Sequence, residues 1–202
     1  MLAASMSHLA ASLGNPREIA QLAKAAQEGA RGHVTPRAEA MFFAAEARGH
    51  ALMGDARAFQ VVAGRAVGAM ERAAGSSGSG DDPVWISHFD EAYLADELAH
   101  CHRDLGQASA ARQRAQEAVD GHPEGRARRR AIGLVLLASA QVQQREIEQA
   151  CHTGTQAVEL LSGLRSNRGA EYLEDFQLRL EPYRDEPVVR EFGARLELRA
   201  AA

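Results

Sequence analysis

Four times along this 202-residue chain, a small residue is followed 16 positions later by another and 3 positions after that by a third. The triplets are Ser7, Ala23, Ala26; Ala47, Ala63, Ala66; Ala99, Ala115, Ala118; and Ala138, Gly154, Ala157. Seven residues after each first member stand Gly14, Gly54, Gly106 and Arg145, each between two stretches of helical periodicity. A small residue where two helices cross lets their backbones approach, and the three-residue step keeps the last two members on one helix face. Such a pattern calls for a series of helical hairpins. The composition agrees, because only 5% of residues are aromatic and Ala, abundant here, is the best helix former and a poor strand former. The expected fold class is all-α.

Pro and Gly divide the chain at Gly14-Asn15-Pro16, Thr35-Pro36, Gly54-Asp55, Gly75 to Pro83, Leu105-Gly106, Gly121 to Gly125 and Glu181-Pro182. Between them lie about ten helices, predicted at 2–13, 16–30, 36–53, 55–73, 87–105, 107–120, 126–143, 146–162, 169–181 and 186–198. We read one domain over 1–202. A hydrophobic content of 46% with 25% charged residues can bury a core and argues against wholesale disorder. The net charge of -4 supplies no global basic field for nucleic acid. Met1 to Leu13 has no basic residue ahead of its apolar stretch, unlike a signal peptide. The most apolar run, Ala131 to Ala140, is half the roughly 20 residues a membrane span needs. With two Cys and no sign of an oxidising compartment, the expectation is a cytoplasmic protein off the membrane.

The third repeat is the clearest. Ala95, Leu98, Ala99, His102, Gly106, Ala111, Ala115, Ala118 and Pro123 fall where the tetratricopeptide repeat (TPR) has its Trp, Leu, Gly, Tyr, turn Gly, Ala, aromatic, Ala and Pro. The fourth fits as Leu134, Leu137, Ala138, Gln141, Ala150, Gly154 and Ala157. In these residues the chain resembles that family, with the Trp, Tyr and second aromatic of the third unit replaced by Ala95, His102 and Ala115. The unit spacings of 40, 52 and 39 exceed the usual length, so the connecting loops are lengthened. The resemblance implies a right-handed α-solenoid of antiparallel helix pairs.

The longest insertion, around 75–82, is dense in Gly and Ser and is expected to be a flexible loop within the domain. Trp85, Ile86 and Phe89 are expected to anchor the chain after it. Residues 167–199 read as a capping helix pair. Tyr172, Leu173, Phe176 and Leu180 form one apolar face, and Val188, Phe192 and Leu196 the next, with Asp185 as N-cap and Pro187 in the first turn. Trp85 through Leu105, Leu134 to Ala138 and Tyr172 to Phe176 resemble the helical C-terminal regions of actinobacterial helix-turn-helix transcriptional regulators. Such regulators begin with a DNA-binding head, whereas this chain starts in a helical repeat, so DNA binding is not carried over.

Chemistry-bearing clusters are few. His100 and His102 are neighbours but one on a helix and point to nearly opposite sides, and the i, i+4 pairing of helical metal sites is absent, so no metal site is expected. Cys101 shares a side with Leu94, Leu98 and Leu105, and Cys151 lies one turn from Ile147, so both read as core. Asp96 and His100 are spaced so that the carboxylate can orient the imidazole, but no nucleophile or phosphate loop completes a catalytic set. We expect no catalytic residue and no cofactor. Arg126, Arg128, Arg129 and Arg130 form one basic cluster without aromatic neighbours, which reads as a solvated helix start.

In the resembled fold the first helix of each pair turns one side into a concave channel. In the third unit that side carries Tyr93, Asp96, His100 and Arg103, spaced 3, 4 and 3, on a helix whose other two sides are small or apolar. The matching positions of the second unit are Met41, Ala44, Arg48 and Ala51. Tyr93, Asp96, His100, Arg103, Met41 and Arg48 are the candidate partner-binding residues. The reading is a non-enzymatic protein or peptide interaction module, the sensing or assembly part of a bacterial regulator, without specific nucleic-acid binding of its own. Homodimerisation stays open. The alternative is a sensor taking a small molecule or peptide in the groove, and an enzyme ranks behind both.

Overall fold

The computed structural model describes residues 15–30, 32–75, 82–162 and 167–200. The helix expected at 2–13, with Ser7 and Gly14, and most of the loop at 75–82 lie outside the described residues. Within them are nine α-helices and no strand: α1 (Pro16–Gly29), α2 (Pro36–Leu52), α3 (Ala56–Gly75), α4 (Glu91–Asp104), α5 (Ala108–Gly121), α6 (Ala127–Gln143), α7 (Ile147–Leu161), α8 (Asn167–Leu180) and α9 (Pro187–Ala200). Single 3-10 turns occupy Val84–Ile86, Glu124–Arg126 and Glu181–Tyr183.

Several starts are set by capping side chains. Asn15 Oδ1 accepts from the Glu18 amide at 3.3 Å, Thr35 Oγ1 from Ala38 at 3.4 Å, and Asp55 Oδ1 from Ala58 at 2.9 Å. Each satisfies an amide that has no partner within its helix. Pro16 and Pro36 open their helices, where a missing N–H costs nothing.

The turn seven residues after each small residue has one geometry in both hairpins where its hydrogen bonds are defined. Gly54 and Arg145 have φ of 74° and 62°, in the left-handed region. The next amide reaches back five residues, Asp55 to the His50 carbonyl at 3.0 Å and Glu146 to the Gln141 carbonyl at 2.9 Å. Gly54 and Arg145 themselves donate to the Ala51 and Val142 carbonyls. This double closure is the Schellman helix end.

The chain divides into two compact units, Met1–Leu105 and Gly106–Ala202. In the first, α2 packs against α1, α3 and α4. Its core is walled by alanine, with Ala40, Ala47, Ala66 and Ala69 fully buried, and filled by Phe59, Ile86, Phe89 and Leu98. A Cβ on Gly49 would lie 2.8 Å from the Ala20 amide nitrogen, so α1 and α2 cross backbone to backbone there. In the second unit α6 packs against α5, α7 and α8, and α7 packs against α9. Phe176 and Phe192 meet edge to face, with ring centroids 5.2 Å apart.

Two of the helix starts that differ from expectation have a visible cause. The fourth described helix begins at Glu91 rather than 87 because Val84–Ile86 forms a separate turn and Asp90 caps the helix, its Oδ1 accepting from the Tyr93 amide at 2.9 Å. Ile86 and Phe89 are buried and Trp85 packs partly buried on the core, as the anchoring role requires. Arg37 ties this segment to α2, donating to Asp82 Oδ2 at 2.7 Å and to the Phe89 carbonyl at 3.1 Å. At α9 the first residue is Pro187, so Glu186, whose carbonyl accepts from Val189 and Arg190, holds the place expected of Asp185. The buried face of α9 runs through Val189 and Phe192, with Val188 and Leu196 half-buried beside it.

Candidate functional site

α4 is sandwiched: Leu94, Leu98 and Cys101 enter the core of the first unit, and Ala92, Ala95 and Ala99 are buried on another side. Tyr93, Asp96, His100 and Arg103 share the third side, as their spacing requires. That side is covered rather than open, with exposures of 7%, 1%, 5% and 8%. Burial of this polar face was not legible in residue spacing, which states that four residues align but not what lies across from them.

At its N-terminal end Tyr93 packs among aromatic neighbours, tilted against the Phe89 ring at 5.1 Å and edge to face with the His88 ring at 5.3 Å between centroids. At the other end a charged knot closes the face. Arg103 donates through Nε and Nη2 to Asp104 Oδ1, at 3.0 and 2.9 Å. The other carboxylate oxygen of Asp104 lies 2.9 Å from Nη1 of Arg48 on α2. One carboxylate therefore holds two guanidinium groups, one on each oxygen, and joins α2 to α4. All three side chains are less than one-fifth exposed. Met41, the other candidate on α2, is half-buried against the first core, while Ala44 and Ala51 between and beyond these positions are buried.

Cys101 lies beneath this knot and is wholly buried. Burial pushes its thiol up to about 12; neighbouring Arg48 opposes the shift, and Glu97 and Asp104 add to it. It is a protonated packing group, not an activated thiolate. Burial, with Glu186 adding, raises Cys151 to about 11. His102, on the far side of α4 from His100, meets the Phe59 ring edge to face at 4.9 Å. Among the described residues no group of three or more His, Cys, Asp or Glu is placed to hold a metal ion, and no helix is long and apolar enough to cross a membrane.

The arginine cluster is less solvated than expected. Only Arg128 is exposed, whereas Arg126, Arg129 and Arg130 are half-buried. No side chain caps the start of α6.

One charged group escaped the sequence reading altogether. Glu46 on α2 is 3% exposed. It accepts from Gln27 Nε2 at 2.8 Å, and its other oxygen lies 3.4 Å from Lys24 and 3.6 Å from His50. The available signal was a carboxylate and an imidazole one turn apart in an alanine-rich helix. The identity of their partners on α1 was not available.

Comparison with protein-family models, with the curated proteins and with solved structures gave no match to this chain.

Proposed function

We propose that the chain is a non-enzymatic interaction module, a right-handed solenoid of TPR-like helix pairs capped by α8 and α9. It serves as the sensing or assembly part of a bacterial regulator. The observation that carries this reading is the recurrence of one packing rule. α2 meets both α3 and α4, α6 meets both α7 and α8, and the shared Schellman turn closes each hairpin. Contact with the next helix and the next but one is how stacked helix pairs bury a continuous core. In such a stack the first helix of each pair keeps one side for a partner. Here that side carries Tyr93, Asp96, His100 and Arg103, with Met41 and Arg48 on the preceding first helix.

The partner is a protein or peptide, and specific DNA binding is not part of the activity. A net charge of -4 offers few of the phosphate contacts that DNA affinity requires. The alternative is a small-molecule or peptide sensor using the concave groove on the same side of α4, whose four side chains are 8% exposed or less. An extended peptide would reach them only after their surroundings move.

Affinity capture from the source cell with mass spectrometry identifies the ligand, and titration calorimetry then tests the site. Truncation of buried side chains would leave cavities, so the informative variants are Tyr93→Phe and Arg103→Lys. Each is expected to weaken binding by about 0.5–2 kcal/mol while the fold survives. Unchanged affinity in both moves the site elsewhere. Tight sequence-specific binding of a DNA duplex by the isolated chain overturns the proposal.

A further inference from the structure

No further inference is drawn: the strongest candidate, the cleft of about 340 Å³ lined by α8 and α9, has an apolar floor of Leu180, Val189 and Phe192 but a rim on which Arg184 and Arg190 are balanced by Glu181 and Glu197, and nothing in the structure shows what covers it.

Discussion

A Cβ placed on Gly154 of α7 would sit 2.6 Å from Cε1 of Phe176 on α8, closer than such atoms approach. The same atom would lie 3.0 Å from Cε2 of Phe192 on α9. Gly154 is the middle member of the fourth small-residue triplet, and it is small because two buried phenylalanine rings rest on it. Gly154→Ala is therefore expected to destabilise by about 1–3 kcal/mol, as overpacking does. Ala99→Leu, at a position 1% exposed, should cost a similar amount. Arg128→Ala is exposed and should stay within about 0.5 kcal/mol. Equal denaturant midpoints for Gly154→Ala and Arg128→Ala would refute the assignment of the triplets to helix crossings.

Gly64 makes the opposite case within one helix. A Cβ there meets nothing within 4 Å, and Gly in a helix interior costs backbone entropy. Gly64→Ala should stabilise by about 0.5–1 kcal/mol, read as a raised urea midpoint with an unchanged slope.

Arg145 holds the left-handed turn position that Gly54 holds in the first unit. A side chain in that conformation costs about 1–2 kcal/mol. Arg145→Gly should recover about 1 kcal/mol, and Gly54→Ala should lose about as much, measured in the same urea titrations. The functional variants at α4 should be indifferent to both.

Asp104 is the shared counter-charge of Arg48 and Arg103. Removing it takes a carboxylate from two guanidinium groups at once, whereas removing Arg48 still leaves Asp104 with Arg103. Asp104→Asn should therefore destabilise more than Arg48→Ala. A double-mutant cycle on Arg48 and Asp104 should give a coupling of about 1–2 kcal/mol. Zero coupling would mean that apolar packing alone joins α2 to α4.

Both thiols titrate above their ordinary value in the fold, Cys101 at about 12 and Cys151 at about 11. Well below pH 9, the ordinary thiol value, both thiols keep their protons whether the chain is folded or not. Between pH 9 and 11 the unfolded chain loses protons that the folded chain retains, so stability falls as pH rises. The fall should be steeper in the native chain than in a Cys101→Ala/Cys151→Ala variant, compared by urea denaturation at pH 8 and pH 10. A thiol reagent should label neither cysteine before unfolding; rapid labelling of Cys101 would contradict its burial.

The residue pattern alone determined the helical class, the positions of the described helices to within a few residues, the burial of the small residues Ala47, Ala66, Ala99, Ala118 and Ala138, and the turns at Gly54, Gly106 and Arg145. These follow from interactions spanning a few residues: backbone propensity, capping, and the period that places i and i+4 on one face. The alignment of Tyr93, Asp96, His100 and Arg103 was legible for the same reason. Only the tertiary structure decided that this polar side is buried, that Asp104 binds Arg48 as well as its neighbour Arg103, and that Glu46 is enclosed by Gln27, Lys24 and His50. Arg48 and Asp104 are 56 residues apart in sequence. Whether a polar side chain faces water or an opposing charge depends on how the helices carrying them pack, and helical periodicity is blind to that, because it orders residues around one axis and says nothing of what stands beside it.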